Sequence, residues 1–187
     1  MRAVPDRLER NRSALVVIDM QERFRDIVSE MASAVAGCSR LIRFCERLDI
    51  PILVTEHYPG GLGRTLPELA ELLPETAGRL EKIAFSCFGD EGFRRTVKEI
   101  GRDQWLLCGI ESHVCVYQTA FDLIRDGKQV AVAADAVSSR RARDRDAGLD
   151  RMRELDAQIM NVEMMLFEIL KQAKTDDFRR VADILKE

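Results

Sequence analysis

The sequence predicts a three-layer α/β fold built on a parallel sheet. Strand-like and helix-like segments alternate from start to finish, as in successive βαβ units. Ala14-Leu15-Val16-Val17-Ile18 is a continuous apolar run, the pattern of a strand buried on both faces of such a sheet. Right-handed crossovers between parallel strands then restrict the topology to doubly wound arrangements.

Each element has its own local reason. From about Ile27 to Leu48, apolar residues recur at helical spacing through Met31, Val35, Cys38, Leu41, Ile42 and Cys45, so a long helix follows the first strand. Pro51 opens a second strand, Ile52-Leu53-Val54-Thr55. Residues 57–64 hold Tyr-Pro-Gly-Gly-Leu-Gly, a loop by its Pro and Gly content. A short helix is expected over Leu66 to Leu73, a third strand over Leu80 to Ala84 and a helix over Glu91 to Ile100. Gln104 to Cys108 reads as a fourth strand ended by Gly109. A helix from about His113 to Asp126 has Gly127 as its stop. Gln129 to Ala134 is the fifth strand. Ser138 or Ser139 offers a cap for a charged helix from about Arg141 to Leu155. Gln158 to Asn161 reads as a sixth strand, and helix is expected beyond it.

A length of 187 residues suits one domain with a full core. Hydrophobic residues make up 46% and charged residues 33%, the balance of a globular protein rather than a disordered one. The formal net charge of -3 leaves no electrostatic footprint for nucleic acid or an anionic membrane. No apolar stretch approaches a membrane span, and Met1 to Arg12 is polar and Arg-rich, unlike a secretory leader. Cysteines at 38, 45, 87, 108 and 115 form an odd set without a CxxC pair, which argues for reduced thiols and a cytoplasmic location. His57 and His113 are the two histidines, too few for a histidine-rich metal site within one chain. Neither GxGxxG nor GxxxxGK[ST] occurs, so no nucleotide cofactor is implied.

Ligands of doubly wound sheets bind outside the carboxyl ends of the strands, where the winding reverses. Asp19 follows the first strand, Lys82 lies near the end of the third and Cys115 follows the fourth, so the three belong on one rim. Each has two readings. Asp19 is a general base, or a cap or loop carboxylate paired with an arginine. Lys82 places positive charge beside a substrate and holds Asp19 ionised, or is a surface lysine on an edge strand. Cys115 sits in the first turn of its helix, where unpaired N–H groups and the helix dipole favour a thiolate, or is a packed, inert thiol. Cys87 is the rival nucleophile. Cys38 and Cys45 fall on the apolar stripe of the long helix, and Cys108 sits inside a strand. His113 is two residues from Cys115, so on a helix the two point apart; it reads as a capping or wall residue.

Four ordered segments together resemble the isochorismatase-like cysteine hydrolases. They are Val16-Val17-Ile18-Asp19-Met20-Gln21 with Phe24, Lys82 with Phe85-Ser86, Gly109-Ile110-Glu111-Ser112-His113-Val114-Cys115-Val116, and Asp135-Ala136-Val137-Ser138-Ser139. Ile50 to Pro59 and Cys108 to Val116 point to the isochorismatase domain-containing protein subgroup. The likeness spans roughly Ser13 to Leu170, so a single domain over 1–187 with its core at about 13–170 is expected. The resemblance implies a doubly wound, six-stranded parallel sheet in three αβα layers and an Asp19–Lys82–Cys115 triad. It also implies a cis peptide between Ile110 and Glu111, and an oxyanion hole made by the backbone N–H groups of Glu111 and Cys115. Gln21, Phe24, His57, Tyr58, Phe85 and Phe88 are the pocket candidates. Nicotinamidases of this family hold a metal with an Asp and paired His residues after the second strand; here the segment reads Glu56-His57-Tyr58, so no metal is expected.

The function that follows is a metal-independent cysteine hydrolase acting on a small amide or related carbonyl compound. Isochorismate-type vinyl-ether hydrolysis, which needs an acid rather than a thiol, is the enzymatic rival. A scaffold that keeps the fold without turnover is the rival from another class. A small-molecule substrate, no nucleic acid, no membrane and a homo-oligomer complete the expectations.

Overall fold

The alternating pattern is realised in a computed structural model, which describes residues 5–187. Its strands are β1 (Ser13–Ile18), β2 (Ile52–His57), β3 (Gly78–Lys82), β4 (Gln104–Ile110), β5 (Gln129–Ser138) and β6 (Gln158–Met160). The helices are α1 (Met31–Arg47), short α2 (Pro59–Leu62) and α3 (Pro67–Ala70), α4 (Glu91–Ile100), α5 (Tyr117–Arg125), α6 (Ala142–Glu154), α7 (Val162–Leu170) and α8 (Asp176–Arg180). The strands form one sheet ordered β3-β2-β1-β4-β5-β6, with every neighbouring pair parallel. The chain winds outward from β1 to β3, then returns to the other side of β1 as β4. The winding therefore reverses between β1 and β4, the crevice where ligands of such sheets bind.

All six residues of β1 and all seven of β4 are buried, because helices cover both faces. Leu15, Val17, Leu106 and Cys108 face a core shared with Leu41, Phe44 and Met165 of α1 and α7. Ala14, Val16, Ile18, Trp105 and Leu107 face the opposite core with Phe93, Leu123 and Met152 of α4, α5 and α6. Among the described residues no helix is long and apolar enough to cross a membrane.

Several boundaries differ from the sequence pattern. The α1 helix starts at Met31 rather than Ile27 because Glu30 is left-handed (φ 51°) and the N–H of Ser29 is drawn to the carbonyl of Ser139. The third strand ends at Lys82, whose ammonium bonds back to the carbonyls of Ala84 and Phe85 and curls the chain out of the sheet. Neither Ser138 nor Ser139 caps α6, and Arg141, which precedes it, provides no side-chain cap. Ser138 still belongs to β5, where its hydroxyl donates to the carbonyl of Ser29, while the Ser139 hydroxyl bonds Nδ1 of His113 at 3.0 Å.

Gly109 does not end β4; the strand continues through it to Ile110. Its φ is +116°, and a Cβ there would lie 2.1 Å from the carbonyl oxygen of Ile18. Both the backbone conformation and the contact with β1 demand glycine. Gly109→Ala is expected to destabilise the fold by on the order of 3 kcal/mol or more. A urea melt with a midpoint matching the wild type would contradict this account of the β1–β4 junction.

Candidate active site

The ends of β1, β2 and β3 converge on one buried carboxylate. Asp19 leaves β1 in a left-handed conformation (φ 52°), and its backbone N–H donates to the carbonyl of Thr55 at 3.1 Å. The Lys82 ammonium donates to Asp19 Oδ2 at 2.7 Å, and the Thr55 hydroxyl donates to Asp19 Oδ1 at 2.7 Å. Lys82 also donates to the carbonyls of Ala84 and Phe85 at 3.2 and 3.1 Å, so each of its three N–H bonds has an acceptor. The Asp19 and Lys82 side chains are each 1% exposed. Burial would lower the Lys82 ammonium, but the neighbouring groups, the Asp19 charge first among them, together offset it and hold the group above its ordinary value. The edge-strand surface lysine is thereby replaced by a buried ion-pair partner.

Cys115 enters this cluster from β4. The peptide between Ile110 and Glu111 is cis, and Ser112–Val116 forms a π-helical turn leading into α5. The carbonyl of Glu111 accepts from the N–H groups of Val114 (3.0 Å) and Val116 (3.2 Å). The α6 helix lies directly on this turn: a Cβ on Gly148 would approach the N of His113 and the carbonyl carbon of Ser112 to 2.8 Å. The Ser112 hydroxyl donates to the carbonyl of Arg145 at 3.2 Å. The turn that carries Cys115 is thus held against α6 at two points.

The state of the thiol differs from the helix-terminus expectation. Burial pushes the Cys115 thiol well above its ordinary value, and the charge of Asp19 with hydrogen bonding to it acts in the same direction. Lys82 opposes the shift but does not reverse it. Burial is the largest influence, and it favours the neutral thiol of Cys115 beside the Asp19 side chain. Such a pair can transfer its proton as the sulfur attacks. Cys115 is still the most accessible of the five cysteines, at 7% against 0% for the others.

Cys87 is close to the same cluster but turned into the core. Its thiol donates to the Thr55 hydroxyl oxygen at 3.7 Å, and burial pushes it up to about 11. It is fully enclosed, in contrast to the slightly exposed Cys115. Cys38 and Cys108 donate to backbone carbonyls inside the core.

The six pocket candidates separate. His57 and Phe85 stack at 5.5 Å between ring centroids, beside Lys82, which pairs with His57 in the β2–β3 register. Burial and the Lys82 charge push His57 below the usual histidine range, and its Nδ1 is enclosed with no partner. Gln21 does not present its amide to a pocket: Oε1 accepts from the N–H of His57, and Nε2 donates to the carbonyls of His57 and Gly63. It braces the loop after β2. Phe24 packs against the α1 core, and Phe88 packs edge-on to Phe93 at 5.9 Å; neither joins the cluster. Tyr58 is 56% exposed and its ring lies over Gly61. Thr55 is the group that the sequence pattern did not mark. Its one signal is a hydroxyl at the end of an otherwise apolar strand.

The segment where nicotinamidases hold a metal does not fit one here. The Glu56 carboxylate accepts from the backbone and hydroxyl of Thr65 and from Arg64, and the His57 ring is stacked on Phe85. Among the described residues no cluster of three His, Cys, Asp or Glu side chains is arranged to hold a metal ion. Glu111, buried at the start of the turn that carries Cys115, is held by the N–H and guanidinium of Arg140 at 3.1 and 2.9 Å.

Residues 13–164 match the family model described as the isochorismatase domain. The chain is 37% identical to isochorismatase domain-containing protein 2 of Danio rerio over 182 residues, covering 96% of this chain and 89% of that protein. It is 34% identical to the secreted isochorismatase effector Isc1 of Phytophthora sojae over 184 residues, 97% of this chain and 88% of the effector. Among solved structures, MAR1 ribonuclease from Caenorhabditis elegans superposes with a TM-score of 0.92 at 34% identity, covering 97% and 93% of the two chains.

The electrostatics carry a signed prediction for alkylation by iodoacetamide. The wild-type Cys115 rate should keep rising beyond pH of about 8.5, the free-thiol value. Asp19→Asn removes a negative neighbour and should move that rise to lower pH; Lys82→Met should move it to higher pH. A wild-type profile that levels off below the free-thiol value, or shifts of opposite sign, would show that burial and Asp19 do not govern the thiol.

Proposed function

Because this chain belongs to the isochorismatase-like hydrolase family, we propose that it is a cysteine hydrolase of small amides or related carbonyl compounds, working without a metal. The observation that carries the reading is the meeting of a buried Asp19–Lys82 ion pair and the buried Cys115 thiol at the reversal point of the sheet. Lys82 pairs with Asp19, and Asp19 takes the thiol proton as sulfur bonds to the substrate carbonyl carbon. The N–H groups of Glu111 and Cys115 hold the resulting oxyanion. When the C–N bond breaks, the proton on Asp19 passes to the departing amine, leaving a thioester on Cys115. Asp19 then deprotonates a water that attacks the thioester, and the carboxylic acid product leaves with the thiol restored.

A neutral thiol suits this sequence, since the base and the acid are the same carboxylate. The stacked His57 and Phe85 rings form the apolar wall nearest Lys82. The formal net charge of -3 argues against a phosphodiester polymer as substrate. Assembly into a homo-oligomer is part of the proposal; Met164 (53% exposed) and Phe167 (46%) on α7 offer apolar surface away from the site.

One observation favours a second reading. A cluster that keeps its thiol protonated and its carboxylate buried also suits a reaction that needs acid–base chemistry alone, as in vinyl-ether hydrolysis of the isochorismate type.

Steady-state assays over a panel of small primary amides, with isochorismate included, separate the two. Amide turnover is expected to fall by about three orders of magnitude or more in both Cys115→Ala and Asp19→Asn. A Cys115→Ala enzyme that hydrolyses isochorismate while Asp19→Asn does not would replace the acyl-enzyme reading with the thiol-independent one.

A further inference from the structure

The base is held by more than its lysine. Asp19 accepts at both carboxylate oxygens, Oδ2 from Lys82 and Oδ1 from Thr55, each at 2.7 Å. Thr55 is 1% exposed, so water does not substitute for its hydroxyl. Two donors on opposite oxygens fix the plane of a carboxylate, whereas one donor leaves it free to turn about Cβ–Cγ.

The direction of the Thr55 bond is also determined. A hydroxyl has one proton, and a carboxylate can only accept, so that proton goes to Asp19. The Thr55 oxygen is then the acceptor for the Cys87 thiol at 3.7 Å. Cys87 keeps its proton because burial raises it, and it is anchored by its own N–H to the Thr119 hydroxyl at 3.0 Å. A one-way chain therefore runs from Cys87 through Thr55 to Asp19.

We infer that Thr55 is a positioning residue for the reaction. With Lys82 it holds the Asp19 carboxylate in the one orientation that faces Cys115, and the buried Cys87 thiol aims the Thr55 hydroxyl. The inference rests on Asp19 acting as the base. Proton transfer between Asp19 and sulfur, amine or water depends on that alignment, and small misplacements of reacting groups lower rates by up to about a hundredfold.

The test uses p-nitrophenyl acetate, an activated ester that Cys115 attacks at its carbonyl carbon with p-nitrophenol leaving; water then releases acetate. Thr55→Val keeps the side-chain volume and removes the hydroxyl. It should lower kcat about tenfold to a hundredfold with KM nearly unchanged. Thr55→Ser keeps the hydroxyl and should stay within about threefold of the wild type, although it leaves a small void that lowers the thermal midpoint. A residue that only packs would give the reverse order, with Val close to wild type and Ser impaired; that result overturns the inference. Should Thr55→Val not fold, Cys87→Ala removes the donor that aims the hydroxyl, and an unchanged kcat there overturns it equally. Turnover that survives in Cys115→Ala refutes the nucleophile reading itself. Turnover that needs Cys115 and Asp19 but ignores the loss of the Thr55 hydroxyl refutes this inference alone.

Discussion

A carboxylate and an ammonium 2.7 Å apart, each with a side chain 1% exposed, are the constraint around which the rest of the molecule is arranged. Removing two charges from water is costly, and their attraction compensates only when the remaining hydrogen-bonding capacity is met. The fold meets it. The carbonyls of Ala84 and Phe85 take the spare donors of Lys82, and Thr55 takes the second oxygen of Asp19. Deleting one charge would strand the other, at a cost of about 3–5 kcal/mol. The pair is therefore a structural commitment as well as the centre of the proposed chemistry.

The sheet order explains why four chain segments far apart in sequence can share so small a space. With β1 in the middle, β4 on one side and β2 then β3 on the other, the ends of four strands deliver Cys115, Asp19, Thr55 and Lys82 to one rim. Close backbone approach makes this possible. Gly109 lets β4 lie against Ile18, just before Asp19, and Gly148 lets α6 press on the turn that carries Cys115. Gln21 and Glu56 then fasten the loop after β2 through backbone bonds. The polar residues around the site are mostly occupied in holding its frame.

Much of this was legible in the sequence because it follows from patterning. Continuous apolar runs marked the buried central strands, whose ends put Asp19 and Cys115 on one rim, while the motif around Lys82 came from the family resemblance. The less legible parts depend on contacts between distant residues. An apolar strand can absorb one threonine without any outward sign, so Thr55 did not stand out. A glutamine such as Gln21 reads as a substrate contact until the backbone groups that satisfy it are known. Aromatics at helical or loop spacing serve core and pocket alike; Phe24 and Phe88 are partly buried against the two cores, while Phe85 stacks on His57. Gly109 looked like a strand terminator because its role, close contact with β1, depends on a neighbour 91 positions earlier. The sequence left Cys115 between a thiolate and a packed thiol for a related reason: a helix start is visible in sequence, whereas the burial that raises the thiol is not.

Acid-quenching the enzyme shortly after mixing with p-nitrophenyl acetate, followed by peptide mapping in a mass spectrometer, tests the central claim most directly. The account predicts a single acetyl group on the peptide carrying Cys115, formed during turnover and lost as acetate appears. Turnover with no adduct at Cys115, or with the adduct on another residue, would contradict it.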